Sequence, residues 1–327
     1  MQVKEPLRAR DRRFLGAAKR LLLLHRSLRL KHVEFSLQGE HGLDPLRVAY
    51  IGEGLSLPYY LHLYGVADRG VTASHRSAFT LPRAVAAARR RLPLVLVEIN
   101  AWLGFLLPRG GWTTVPWVRQ VTDLEGERFR HRRRGIERNF GWATRRYGFQ
   151  CTVSHEREDL ETFYHEYYVP HVRQRHGEFA AIRSFAQLKR AIGRGFLVQV
   201  RQGGSWVSGL VVSLADSKRV HLVAAGLHPS RLPGWQDGAL SAADYFVLCW
   251  AKENGLRTVD FGGSRPHLSD GVFRHKVLWA AEPAFDSWHH TRIAFYLAPG
   301  VRFPVSVVHQ LVRKDDRLIP IAECLET

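Results

Sequence analysis

The densest run of chemistry-bearing side chains lies between Leu256 and Trp279, LRTVDFGGSRPHLSDGVFRHKVLW. Thr258, Val259 and Phe261 favour a strand, and Gly262, Gly263, Pro266, Ser269, Asp270 and Gly271 break the chain into a loop behind it. That loop holds Ser264, Arg265, His267, Arg274, His275 and Lys276, and Trp279 closes the stretch. A buried strand that opens into a glycine-broken, cationic loop is a common ligand position in α/β proteins. The residue types predict an anion site without naming a reaction. Asp260, at the strand end, has two roles open to it, proton acceptor or cap of the loop. His275 could act as a base near neutral pH, but the chain has 17 histidines and residue type alone singles out none.

The elements that must position this stretch follow from pattern and punctuation. Residues 123–148, DLEGERFRHRRRGIERNFGWATRRYG, read as a basic helix with Phe129, Ile136, Phe140, Ala143 and Tyr147 on one face. Arg130, Arg134, Arg138 and Arg145 lie on another face, open to phosphate contact or simply to solvent. Residues 158–169 read as a helix that Pro170 ends or kinks. Ser184 and Gln187 give a capping-box start to a helix over 184–193. Strands at 196–201 and 206–214 form a hairpin across Gln202-Gly203-Gly204-Ser205, and a third strand covers 219–225. A helix from about Gly238 to Asn254 is stopped by Gly255.

The N-terminal part is less legible. Residues 11–29 have the pattern of a basic amphipathic helix, with Phe14, Ala18, Leu21, Leu24 and Leu28 at helical spacing. A packed helix with a solvated face is the favoured reading, and contact with RNA or a membrane surface is the other. Over 32–118, Val48–Ile51 and Leu94–Ile99 are strand-like and 81–91 helical, with Pro82 in the first turn. Tyr59, Tyr60, His62 and Tyr64 read as half-buried strand packing, or as the lining of an acceptor site. Val305–Val312 reads as a closing helix or strand.

The composition narrows the partners. The 327 residues carry 48 Lys plus Arg against 30 Asp plus Glu, a formal charge of +18. Such a field attracts RNA, DNA, anionic lipid or phosphorylated metabolites, although an arginine-rich genome would give the same excess. Cys151, Cys249 and Cys324 are far apart and form no CxxC, which argues against a disulfide scaffold or zinc ribbon and fits a reducing cytoplasm. No apolar run approaches a transmembrane length, and the N-terminus lacks a signal-peptide pattern. Ser-His-Asp order, Walker, HExxH and zinc spacings are absent from the sequence.

Ala242-Asp244-Tyr245-Val247-Leu248-Trp250-Ala251, Glu253-Asn254-Gly255, Val259-Asp260-Phe261-Gly262, Phe273-Arg274-His275-Lys276 and Trp279 follow one another in an order that resembles the Fem-like branch of the GNAT N-acyltransferase superfamily. The resemblance covers about residues 115–285. It implies an α+β fold, a mixed and mostly antiparallel sheet flanked by helices. A tandem is expected, with a degenerate N-terminal unit or acceptor-specificity subdomain over 1–118 and a complete acyltransferase domain over 119–327.

The implied activity is transfer of an acyl or aminoacyl group from aminoacyl-tRNA or acyl-CoA to an amine, with no tightly bound cofactor. Lys276 matches the lysine of the aromatic-x-x-Lys segment and is expected to hold developing negative charge or a phosphate. Asp260 and His275 are the other catalytic candidates. Arg265, Ser264, Gly262, Gly263 and Trp279 are expected at the substrate. Arg231, Gly234, Gly238, Arg134 and Arg138 are expected at donor phosphates. The family's Arg/Gln-x-x-Gly-x-Gly/Ala signature is degraded here, because Gln236 replaces a small residue and Pro233 has no N–H to donate. Expected partners are tRNA, an amine-bearing small molecule, peptide or cell-envelope precursor, and an anionic membrane contacted peripherally. The alternative is a non-catalytic basic module of the same fold that binds RNA or an anionic surface.

Overall fold

The computed structural model describes residues 28–37, 44–66, 72–177, 180–230, 238–284 and 290–325. In chain order the first stretch carries β1 (Arg29–Leu37), β2 (Leu46–Gly52), α1 (Leu57–Leu63), β3 (Thr72–Ser77), α2 (Leu81–Arg89), β4 (Leu94–Asn100) and β5 (Trp112–Thr114). The middle carries β6 (Val118–Asp123), α3 (Glu127–Ile136), α4 (Trp142–Arg146), β7 (Phe149–Ser154), α5 (Arg157–Thr162), α6 (Val169–His176) and α7 (Phe185–Ile192). It continues through β8 (Gly195–Gln202), β9 (Ser205–Asp216), β10 (Arg219–Leu227), α8 (Ala239–Glu253), β11 (Thr258–Ser264), α9 (Gly271–Leu278) and β12 (Glu282–Ala284). The last stretch carries β13 (Thr291–Leu297), α10 (Val305–Val308), β14 (Leu311–Lys314), β15 (Arg317–Pro320) and α11 (Ile321–Leu325). No helix among the described residues is long and apolar enough to cross a membrane.

The chain forms two units. The first comprises Met1–Trp117, Pro266–Ser269 and Ser287–Thr327. Its eight-stranded sheet runs β15-β14-β5-β13-β4-β2-β1-β3, and β2 and β4 are its parallel pair. Both strands are buried on both faces, as their unbroken apolar runs require. α2 lays Leu81, Ala84, Val85 and Ala88 on one face of the sheet, at helical spacing. The other face holds Tyr50, Tyr60, Tyr64 and Phe295. The end of the parallel pair is closed from within. Glu98, fully buried, accepts hydrogen bonds from Leu55 N (2.9 Å), Ser56 N (3.0 Å) and the Tyr50 hydroxyl.

The second unit comprises Val118–Arg265 and Asp270–Asp286. Its seven-stranded sheet runs β12-β6-β11-β10-β9-β8-β7, and β10 and β11, joined through α8, are its parallel pair. α8 buries Ala239, Ala242, Ala243, Val247, Leu248 and Ala251 against Val198, Val212, Val220 and Val259. On the other face Leu160, Phe163, Tyr167, Tyr168 and Leu188 cover Leu197, Val211 and Ala224. Both units are thus mixed, mostly antiparallel sheets flanked by helices, an arrangement compatible with a GNAT-like tandem.

Several sequence expectations are corrected. Residues 287–327, assigned to the C-terminal domain, belong to the first unit, because β13 inserts between β4 and β5. The tyrosines around 60 lie on α1, not on a strand, and Tyr60 and Tyr64, one helical turn apart, are buried and stacked 5.5 Å apart. The basic helix of 123–148 is not one helix, since a π-helical segment, Glu137–Gly141, separates α3 from α4. Pro170 does not end its helix. A second π-helical segment, Phe163–Tyr168, precedes it, and Pro170 falls in the first turn of α6. The loop expected over 262–276 is shorter, because β11 extends to Ser264 and Asp270 caps α9 by accepting from Phe273 N at 2.8 Å. The amphipathic helix expected over 11–29 lies outside the described residues apart from its end, where Arg29 opens β1.

Gly226 sits where the second π-helical segment meets β10. A Cβ there would lie 2.7 Å from Tyr168 N and 2.8 Å from Tyr167 C, which are backbone atoms that cannot rotate away. Gly226→Ala is expected to cost about 1–3 kcal/mol, read as a lower urea midpoint at unchanged slope. An unchanged midpoint would show that the contact is not tight.

Candidate functional site

The site begins with two strands that part. β10 and β11 pair only at Arg219–Thr258, Val220–Val259 and His221–Asp260. β10 then continues on β9 as far as Leu227, and β11 continues on β6 as far as Ser264. Past His221 and Asp260 the two strand edges therefore face each other with the ladder between them ended. A strand edge carries backbone N–H and C=O groups open to a ligand.

A bulge shapes the β11 side of this opening. The β11–β6 register shifts between Asp260 and Gly263. Gly262 takes φ +75°, a conformation that favours glycine. A Cβ on Gly262 would stand 3.5 Å from Leu222 O and 3.6 Å from His221 Nε2, so its missing side chain keeps the space towards β10 clear. Asp260 is fully buried. Its Oδ1 accepts from Gly262 N at 2.8 Å, and its Oδ2 pairs with Arg119. Asp260 therefore caps the bulge, the second of the two roles its position left open.

Lys276 holds the bulge from α9. Its ammonium donates to Gly262 O (3.0 Å) and Gly263 O (2.7 Å) while only 7% of the residue is exposed. Burial pushes its pKa down to about 7; the Asp244 and Asp270 carboxylates oppose that shift and Arg119 adds to it. His221 stands opposite Asp260 across the last paired rung. Burial and the nearby Arg119, Arg183, Lys276 and Arg219 lower its pKa to about 4, so its ring is neutral at physiological pH. Val220 and Val259 pack with α8, so strand alternation turns His221 and Asp260 to the opposite face. The outcome is a partly dry cluster of cations around one buried carboxylate, a charge distribution suited to an anion or to a developing oxyanion.

His275 lies beside Lys276 on α9. Its Nε2 is 2.9 Å from Asp244 Oδ2 of α8, and Trp279 Nε1 approaches the same nitrogen at 3.4 Å. Its side chain is partly exposed and Asp244 is nearly buried. An imidazole held by a buried carboxylate can take up a proton with its orientation fixed.

The other expected residues are dispersed. Ser264 and Trp279 are fully buried and do not face a substrate. Ser264 Oγ donates to Gln120 Oε1 at 2.6 Å, and Trp279 stacks on Phe140 at 4.2 Å. Gly263 is exposed beside the bulge and Arg265 is half-buried. Gly238 takes φ +85° at the N-cap of α8. Arg231 and Gly234 lie outside the described residues. Arg134 and Arg138 are exposed on α3 and on the π-helical segment after it. Glu137 of that segment pairs with the Tyr245 hydroxyl and with Arg145, and both bonds hold its carboxyl below the usual range. No group of three metal-ligating side chains occurs among the described residues.

His221, Arg119 and Asp244 are absent from the sequence-based site. His221 carried a signal as a titratable residue between apolar neighbours, Val220-His221-Leu222 in β10, whereas Arg119 lies in VRQVTD of β6, where polar residues are the rule.

Residues 130–277 match the acetyltransferase (GNAT) domain family. The chain carries a GNAT domain there, in its second unit apart from residues 266–269, and is an acyltransferase by class. No curated protein matches the sequence. Among solved structures, L-PGS from Bacillus licheniformis is 13% identical with a TM-score of 0.37, over 84% of this chain and 86% of that one. FemX is 11% identical with a TM-score of 0.40, over 81% and 88%. A GCN5-related N-acetyltransferase from Kribbella flavida is 16% identical with a TM-score of 0.32, over 91% and 98%.

The depressed Lys276 pKa sets a pH dependence. Between about 7 and the usual 10.5 the unfolded chain binds more protons at this lysine than the folded protein does, so its contribution to stability rises with pH across that window. Wild-type stability is expected to climb relative to Lys276→Met from pH 7 to pH 10 in urea titrations. Parallel curves would contradict a buried amine that sheds its proton.

Proposed function

We propose that the second unit is an N-acyltransferase of the Fem-like kind, moving an acyl or aminoacyl group from an activated donor to an amine at the opening between β10 and β11. The observation that carries this reading is the ladder ending at His221 and Asp260 beside a bulge that Lys276 holds. The GNAT domain match and the order of motifs from Ala242 to Trp279 support it.

In the proposed step the amine nitrogen attacks the carbonyl carbon of the donor, and the C=O electron pair moves onto oxygen. Unpaired strand amides and the field of Lys276 and Arg119 stabilise that oxyanion. The carbonyl re-forms and expels the ribose oxygen of an aminoacyl-tRNA or the sulfur of an acyl-CoA. His275 takes the proton released by the amine and returns it to the leaving group, with Asp244 steadying the imidazolium. His221, a weak base at about 4, serves as a hydrogen-bond acceptor.

The donor favoured is aminoacyl-tRNA. The charge of +18 and the exposed Arg134 and Arg138 suit a polyanion. The acceptor class is an amine-bearing small molecule, peptide or cell-envelope precursor, and the setting is the cytoplasm. The competing reading is a basic module that binds RNA without turnover.

Donor choice is tested by thermal shift at about 0.15 M salt, where weak charge attraction is screened. Aminoacylated tRNA is expected to stabilise the protein more than uncharged tRNA, and acetyl-CoA to have no effect. Stabilisation by acetyl-CoA alone would overturn the tRNA assignment. His275→Gln is expected to lower turnover by at least about tenfold with donor binding intact. Equal losses of RNA binding on replacing any exposed arginine, with no turnover to lose, would favour the binding module.

A further inference from the structure

Four large apolar side chains are exposed at one end of the first unit: Leu55 (48%), Phe79 (67%), Trp102 (50%) and Phe105 (74%). The sheet registers bring their segments together. Arg29 pairs with Ser77, Lys31 with Gly52, Gly52 with Glu98, and Asn100 with Thr291. The C-terminal ends of β2, β3 and β4 therefore lie in one row across neighbouring strands about 4.8 Å apart. Leu55, Phe79, Trp102 and Phe105 follow those three strand ends within a few residues.

Local geometry turns the last two outward together. Ala101–Leu106 is a 3-10 turn in which the Asn100 side chain accepts from Trp102 N. Side chains three apart eclipse in such a turn. Leu103 is buried and Leu106 packs on the core, so Trp102 and Phe105 share the solvent side. Arg292 lies against this turn, its Nη1 3.1 Å from where a Gly104 Cβ would stand. Arg29, Lys31 and Arg292 are exposed along the same row. The acidic residues of segments 29–31, 52–57, 77–83, 98–109 and 290–293 are Glu53 and Glu98, and both are buried. Within these described segments the exposed charge is thus of one sign.

Exposed aromatic side chains with a basic collar match the chemistry of a membrane interface, where rings enter the headgroup layer and cations meet anionic phosphates. We propose that this end of the first unit docks on an anionic lipid bilayer, with Trp102 and Phe105 as the inserting wedge and Arg29, Lys31 and Arg292 as the charged rim. The proposal does not rest on the transfer reaction above.

The test is co-sedimentation of the full chain with phosphatidylcholine vesicles containing phosphatidylglycerol, against pure phosphatidylcholine, at about 0.15 M salt. The wild type is expected to pellet with the anionic vesicles. Trp102→Ser with Phe105→Ser is expected to lower that partitioning by at least about tenfold at an unchanged thermal midpoint, since neither ring is part of the core. Arg292→Glu should weaken it as well, and the neutral vesicles should bind little. Wild-type pelleting by the double variant would overturn the proposal. So would a fall in native mass on making that variant, which would assign the patch to a second copy of the chain. A loss of binding to a short RNA with vesicle binding unchanged would overturn it too.

Discussion

The site depends on a backbone ladder that stops. A parallel pair buried between helices is normally kept paired, because unpaired N–H and C=O groups away from water cost free energy. Here β10 and β11 part after three rungs, and each finds its partner on the far side, β9 and β6. The bulge at Gly262 and Gly263 re-aims two carbonyls, and the Lys276 ammonium satisfies both. Asp260 satisfies the Gly262 amide and Arg119 balances Asp260. The result is an opening whose two walls are each hydrogen-bonded on the outer side, β10 to β9 and β11 to β6, while the ladder between them has ended.

The two units treat the same problem differently. Each has one parallel pair, and in each a helix follows the first strand of that pair. In the first unit the end of the pair is filled by the protein's own carboxylate, with Glu98 occupying the amides of Leu55 and Ser56. In the second unit the buried carboxylate beside the strand edges, Asp260, accepts from one amide, that of Gly262, and is itself balanced by Arg119. A unit whose amides are already met by an internal anion is poorly placed to bind an external one.

Legibility in the sequence followed the range of the interactions involved. The β8–β9 hairpin, the capping box at Ser184 and the stop at Gly255 depend on residues close in the chain, and each appears where its local chemistry puts it. β13 was not legible as part of the first sheet, since its place is fixed by β4 and β5, more than 150 residues earlier. The π-helical segments were not legible either. A widened turn keeps the apolar face approximately in phase, so periodicity alone reads straight through it. At the site, the glycines and Lys276 stood out because glycine punctuation and a named motif mark them. Ser264 and Trp279 stood out for the same reason, yet they are packing residues, since a motif fixes residue identity without fixing the direction of the side chain. His221 and Arg119 belong to the site only because two strands distant in the sequence meet.

The most direct measurement is hydrogen–deuterium exchange across β10 and β11 with and without an acyl donor. If the opening receives the donor, peptides covering Leu222–Leu227 and Phe261–Arg265 should exchange more slowly when aminoacyl-tRNA is bound, while β8 and β9 stay unchanged. Protection confined to other surfaces, with these edges exchanging as in the free protein, would contradict the assignment of this opening as the transfer site.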